Sequence, residues 1–225
     1  PVTTLINSHY HYDHANGVPA FGPDIEIIGH EVTYEKLTAD PANEHTYLSS
    51  LQRFDNTVAR LEQELENASS TQERQELQAQ LEFWQAHVSA QEEIVFTPPT
   101  TTLRDTLTLY RGGREIQLHY CGRAHTGGDL AIYLPEEKIV FTGDMMHHAV
   151  QCSEPDWCTV FCHDPAAAAA SRRRVLGAVA DTDITVVPAH FPGVTAGRVR
   201  PDGDGERYWP RWWGPSGQGI VTRHA

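Results

Sequence analysis

Lysine is almost missing from this chain: of 17 basic residues only Lys36 and Lys138 are lysines. Basic residues as a whole are outnumbered by 30 acidic ones, and the net charge is −13 with histidine neutral. No basic stripe is visible, which argues against a nucleic-acid partner. No run of 18 apolar residues exists, so no membrane span is expected,. No signal peptide is visible either, and a cytoplasmic location is favoured. Cysteine is sparse, with Cys121, Cys152, Cys158 and Cys162. These read as small buried hydrophobes. The C-x3-C spacing of Cys158 and Cys162, followed by His163, leaves a third metal site and a disulfide open as alternatives. No internal repeat is apparent. At 225 residues the chain is long enough for one domain with a sizeable core and an insertion,.

What the chain does have is histidine, 13 of them, and they are unevenly spread. Ser8-His9-Tyr10-His11-Tyr12-Asp13-His14 puts three imidazoles and a carboxylate within six residues. Val2-Thr3-Thr4-Leu5-Ile6 before it reads as a buried strand. In extended backbone, residues i and i+2 point the same way, so His9 and His11 can share one metal at the strand end. Where the chain turns at Ala15-Asn16-Gly17, Asp13 and His14 are redirected and can hold a second metal. Neutral imidazole with carboxylate suits zinc, and also iron or manganese. A structural zinc knot would be a closed four-ligand set, usually rich in thiolates.

This H-x-H-x-D-H run resembles the metallo-β-lactamase superfamily, and the remaining parts of that pattern follow in order. His125 sits in Gly122-Arg123-Ala124-His125-Thr126-Gly127-Gly128-Asp129, Asp144 in Phe141-Thr142-Gly143-Asp144, and His190 in Val186-Val187-Pro188-Ala189-His190. The resemblance implies that His9, His11 and His125 hold one metal, that Asp13, His14 and His190 hold another, and that Asp144 bridges them. It implies an α+β fold, an αββα sandwich. In that fold a first portion of β-sheet precedes the histidine motif, and the chain begins without it. The segment from Asp144 onward is similar to the methyl parathion hydrolase and acyl-homoserine lactonase branch. The similarity lies in His148-Ala149-Val150-Gln151, Glu154-Pro155, Phe161, Asp164, Pro188-Ala189-His190-Phe191-Pro192-Gly193 and Gly197-Arg198.

Around these motifs the metallo-hydrolase domain is expected over 1–45 and 94–200, with a C-terminal tail over 201–225. Ile25–His30 reads as a strand with a helix from near Glu31, and His30 as a packed residue or a pocket one. Between 46 and 93, Leu48, Leu51, Phe54, Val58, Leu61 and Leu65 follow helical spacing, as do Leu77, Leu81, Trp84 and Val88. Ser70-Thr71-Gln72-Glu73 fits a capping box. The expectation is an inserted antiparallel helical hairpin, packed on itself, serving as a lid or as a homodimer contact. Phe96 to Thr102 reads as a linker. Strands are expected at 106–110, 115–120, 130–134, 138–141 and 184–187, and a helix from Asp164 to about Val179. His147 and His148 are expected to line the pocket without ligating. The aromatics of Tyr208-Trp209-Pro210-Arg211-Trp212-Trp213 read as cover for a sheet edge or helix, or as a pocket floor, and the last residues as disordered.

The reaction expected from the resemblance is hydrolysis by a hydroxide bridging two zinc ions, with iron or manganese as other occupants. Asp144 orients the pair, and Asp13 serves as ligand and proton acceptor. The small-molecule substrate is an ester or lactone, or a phosphotriester. Two alternatives stand beside it: an iron-dependent oxygenase of the same fold, like the persulfide dioxygenases, and a non-catalytic scaffold working through the hairpin.

Overall fold

The computed structural model describes residues 2–193 and 195–201 in full, and the main chain alone for Asp202, 207–213 and 219–221. In chain order the strands are β1 (Thr4–Ile6), β2 (Glu26–His30), β3 (Thr101–Leu103), β4 (Thr106–Arg111), β5 (Arg114–Tyr120), β6 (Leu130–Leu134), β7 (Ile139–Gly143), β8 (Thr185–Pro188), β9 (Gly197–Asp202), β10 (Arg207–Trp213) and β11 (Gly219–Val221). The helices are α1 (Tyr12–Ala15), α2 (Glu31–Ala39), α3 (His45–Glu66), α4 (Thr71–Ala90), α5 (Val150–Ser153) and α6 (Pro165–Val179).

The fold is α+β, with two sheets face to face. The small sheet is parallel, in the order β1-β2-β3. The large one runs β11-β10-β9-β8-β7-β6-β5-β4 and is antiparallel except where β7 pairs with β8. That parallel step needs a crossover, and α6 lies within it. Apolar side chains of both sheets meet between the layers: Ile28 and Leu103 from the small sheet, Leu109, Leu118 and Leu130 from the large one. On the far face of the large sheet, Val175, Leu176 and Val179 of α6 cover Val140, Val186 and Val199. Val18, Ile25 and Ile27 cluster with Leu5 at the small sheet.

Helix ends follow local chemistry. The Asp164 carboxylate accepts from Ala167 N at 3.0 Å, with Pro165 in the first turn of α6. The Glu44 carboxylate accepts from Thr46 N and Tyr47 N at the head of α3. At α4, Ser70 Oγ accepts from Glu73 N, while the Glu73 carboxylate reaches back to Ser69 N and Ser69 Oγ rather than to Ser70. α3 and α4 pack on each other through Phe54, Leu61, Leu81 and Trp84. Leu48 departs from the seam and is exposed. α3 also rests on the histidine motif: the Tyr12 ring meets Phe54 at 5.7 Å, and Arg53 donates to Tyr12 Oη at 3.4 Å.

Two readings of the sequence change here. The end of the expected linker runs into β3, which adds a third strand to the small sheet. The expected tail over 201–225 instead carries the end of β9 together with β10 and β11, which extend the large sheet. The aromatic side chains of 208–213 and residues 222–225 lie outside the described residues. Among the described residues, no helix is long and apolar enough to cross a membrane.

Candidate metal centre

Strand directions bring the site together. β5 and β6 are antiparallel, as are β6 and β7, while β7 and β8 are parallel. The carboxyl ends of β5, β7 and β8 therefore leave one edge of the large sheet, and His125, Asp144 and His190 follow those three ends. The carboxyl end of β1 arrives from the other sheet with His9 and His11. Leu130 N donates to Ser8 O at 2.9 Å, which ties the two sheets at that corner. Gly143 makes the approach feasible: its φ is +50°, and a Cβ there would stand 2.9 Å from Ser8 Cβ. His11 is the last extended residue, with ψ 152°, and its carbonyl starts α1 by accepting from His14 N and Ala15 N. That helical turn carries Asp13 and His14.

All seven residues singled out in the sequence converge. His9, His11, His125 and Asp144 offer donor atoms within 4.8 Å of one another, and so do Asp13, His14, Asp144 and His190. His125 Nε2 lies 2.9 Å from His11 Nδ1. His14 Nε2 and His190 Nε2 are 3.4 Å apart. Asp144 belongs to both groups through different oxygens. Its Oδ2 is 3.7 Å from the Nε2 atoms of His9 and His125, and its Oδ1 is 3.1 Å from His14 Nε2 and 3.2 Å from His190 Nε2. Asp13 Oδ2 lies 3.4 Å from both His14 Nε2 and His190 Nε2.

The donor chemistry fits a pair of cations. Imidazole and carboxylate in these numbers, without thiolate, match zinc, iron or manganese. His9 Nε2 is buried without a hydrogen-bond partner, an expense that a bound ion would remove. Burial drives His9 well below its ordinary range, takes His11 down to about 4 and takes His125 down to about 3. These three are neutral near pH 7, with lone pairs free. The other group differs. Burial pulls His14 down, but Asp13 and Asp144 outweigh it and lift it to about 9. The same two carboxylates raise His190 to about 10. Against the pull of burial, the neighbouring imidazoles hold Asp13 and Asp144 well below the usual carboxylate range.

The His125 loop is braced from behind. Asp129 Oδ2 accepts from Thr126 N at 2.6 Å and from Thr126 Oγ1 at 2.8 Å. Burial raises the Asp129 carboxyl to about 6 against those two bonds. Ser8 Oγ sits 3.2 Å from His9 Nδ1 and 3.4 Å from His14 Nδ1, touching one imidazole of each group. Ser8 was not singled out in the sequence, and its adjacency to His9 was the one available signal. His147 comes closer to the centre than expected: its Nε2 is 3.2 Å from Asp144 Oδ2, and its ring stacks on His190 at 5.5 Å. It belongs to neither group of mutually close donors. His148 is exposed and caps Val150 N with its Nδ1. His30 is a packed residue, its ring tilted against that of Tyr120 at 4.3 Å with Nε2 3.0 Å from Arg104 O. Cys158, Cys162 and His163 do not form a third donor cluster among the described residues.

Beside His11 and His125 opens a cavity of about 810 Å³. Its wall mixes the apolar Val32, Val160 and Phe161 with the charged Lys36, Glu44 and Arg123.

The family model described as the Metallo-beta-lactamase superfamily matches residues 1–190. No curated protein matches the chain. Among solved structures, hydrolase AbOPH of the beta lactamase superfamily aligns over 100% of this chain and 65% of its own, with TM-score 0.54 and 19% identity. The BLEG-1 B3 metallo-beta-lactamase aligns over 84% of this chain and 70% of its own, with TM-score 0.52 and 16% identity. VMB-1 aligns over 84% and 60%, with TM-score 0.50 and 14% identity. This chain thus spans 65% of the length of AbOPH, and at such identities the solved structures speak for the fold. With the family match running from residue 1 through His190, the chain belongs to the metallo-beta-lactamase superfamily.

Proposed function

We propose that the chain is a dinuclear metal-dependent hydrolase of small esters or lactones, with phosphotriesters as the neighbouring substrate class. The observation that carries this reading is the division of Asp144, one oxygen toward His9 and His125 and the other toward His14 and His190. When bound, two divalent cations would acidify water and draw electron density from the oxygen of the bond to be cut.

The chain's own residues do the rest. His9, His11 and His125 present neutral nitrogens from a buried wall and need no proton removed. Asp144 sets the distance between the two groups and holds both from one rigid strand end. Asp13 stands at the open side, where its carboxylate can take and pass on a proton while His14 and His190 hold it in place. The cavity beside His11 and His125 admits the substrate. Val32, Val160 and Phe161 receive an acyl or alkyl part, and Arg123 and Lys36 face a carbonyl or phosphoryl oxygen. The likeness of the segment after Asp144 to the methyl parathion hydrolase and acyl-homoserine lactonase branch supports the choice of bond, and the description of AbOPH as a hydrolase is in keeping with hydrolysis in general.

The test is a metal assay paired with a hydrolysis panel: a lactone, an aryl ester, a phosphotriester, a thioester and a β-lactam. Two ions per chain with turnover of the first or second substrate is the expected result. A fully loaded protein inert toward lactone, ester and phosphotriester overturns the proposal, as does turnover that stops without oxygen.

A further inference from the structure

We infer that Cys158 and Cys162 are a redox-responsive thiol pair, and that their oxidation to a disulfide by a peroxide loosens the donor group of His9, His11 and His125. The second half of this statement rests on the dinuclear reading above; the first half does not.

The pair lies in the segment between α5 and α6. A turn closed by Cys162 N donating to Thr159 O at 3.2 Å folds the segment back on itself and sets Cys158 and Cys162 on its two flanks. Both are free thiols. Each has a second partner that leads to the metal centre. Cys158 Sγ accepts from Arg172 Nη2 at 2.8 Å. Arg172 is wholly buried, and its guanidinium also donates to Pro155 O, Trp157 O and Met145 O. Met145 directly follows Asp144. Cys162 Sγ lies 3.8 Å from His125 Nδ1, while His163 N donates to His125 O at 3.2 Å. The segment is thus fastened to both ends of the first donor group, at Asp144 through Arg172 and at His125 through the thiol.

The contact at His125 is chemically unusual. A ligating imidazole normally leans its second nitrogen on a carboxylate, a main-chain carbonyl or water, and these supports tune affinity. A thiol is a weak acceptor and a weak donor, and unlike a carbonyl it can be oxidised. Cys162 also lines the 810 Å³ cavity, so a molecule as small as hydrogen peroxide can reach it. Cys158, half-buried, is raised by burial with Arg172 pulling against it.

The step balances as follows. One sulphur attacks peroxide, the O–O bond breaks, and a sulfenic acid and a water result. The second sulphur attacks the first, the S–O bond breaks, the S–S bond forms and a second water leaves. Two electrons pass from sulphur to peroxide oxygen, and both thiol protons depart in water. An S–S bond of about 2.05 Å draws Cys162 Sγ away from His125 Nδ1 and Cys158 Sγ away from Arg172.

The experiment uses the whole chain loaded with zinc and treated with hydrogen peroxide. Intact mass, peptide mapping and zinc transfer to a chromophoric chelator are followed together. The expected result is a mass lower by about 2 Da, as a disulfide requires, a linked Cys158–Cys162 peptide, and zinc affinity reduced about tenfold or more. Dithiothreitol restores both. Cys158→Ser keeps its zinc under the same treatment, and the dithiothreitol reversal stands in for it should that variant not fold. A disulfide involving Cys121 or Cys152, oxygen adducts without pairing, or a Cys158–Cys162 bond with unchanged zinc affinity overturns the inference. Reduced protein that binds no zinc at all defeats the dinuclear reading instead, and the mass measurement still decides the disulfide.

Discussion

His9 and His125 expose 0% and 3% of their side chains, whereas His190 and Asp13 expose 40% and 35%. The two donor groups share one carboxylate and differ in almost everything else. The inner group is neutral and walled in by two sheets. The outer group is a small network of imidazolium and carboxylate, held on a single helical turn and a loop. A cation entering the inner group displaces no proton from His9, His11 or His125 near pH 7. One entering the outer group must displace protons from His14 and His190, because ligating imidazole is neutral. The comparison teaches that one fold can set a neutral donor group and a charged one a few ångströms apart, the first by burial and the second by the carboxylates of Asp13 and Asp144.

The most damaging change to both seats is Asp144→Ala. It is expected to take metal content from two ions per chain to below one and to remove most hydrolysis, read by elemental analysis and the substrate panel. Retention of two ions would dissolve the idea of a shared carboxylate. His11→Ala and His190→Ala separate the groups. By chelator competition, His11→Ala should cost more affinity at the inner seat than His190→Ala costs at the outer one, each at least about tenfold. Equal losses would mean that burial does not distinguish the seats. Leu61→Ala tests whether the helical pair is independent of both. Leu61 is 1% exposed, and its truncation should cost about 2–5 kcal/mol of stability with metal content unchanged.

A gentler test is pH, applied to chelator-stripped protein and read as melting temperature. His14 and His190, raised to about 9 and about 10, keep protons in the folded state that the unfolded chain has released. Their stabilisation is complete below pH 6.5 and is lost as pH climbs through those values. His9, His11 and His125 are lowered, and act in the opposite sense: their stabilisation is complete above pH 6.5 and is lost as pH falls toward about 4 for His11 and about 3 for His125,. Asp13 and Asp144, also held down, add to the acid-side loss. The stripped protein should therefore be most stable near pH 6.5, and a flat profile from 5 to 9 would contradict the charge assignment. The smallest effect is expected of Ser8→Ala, which removes a hydroxyl touching one imidazole of each group. Both affinities should fall together by about tenfold.

Much of this centre was legible because its first four members are neighbours in the chain, where strand alternation and a turn decide direction. His125, Asp144 and His190 were legible through resemblance and through the strand that precedes each. What escaped notice depends on contacts between distant segments. Ser8 acquires its role from side-chain direction at a corner where two sheets meet, while His147, expected at the pocket, stands closer to Asp144 than its sequence position could tell. β3 follows Pro98-Pro99 and resembled a linker, since what makes it a strand is its neighbour β2. β9 and β10 contain Pro201 and Pro210, and proline argues against a strand in the middle of a sheet; they form nonetheless by continuing the ladder that starts at β8. Leu48 follows the spacing of the α3 seam and is nonetheless exposed, while Phe54 and Leu61 are buried.

Gly143 and Ser8 mark where the two sheets touch, and the inner seat draws His9 and His11 from one sheet and His125 and Asp144 from the other. A captured ion would therefore act as a rivet between layers that otherwise meet through apolar side chains and the Leu130–Ser8 main-chain bond. Depletion of the ion would weaken the joint before it disturbed either layer, and the first surface to open would be the seam itself. Starvation for metal would then expose apolar surface as well as silence the centre, and an idle protein would become a target for proteolysis.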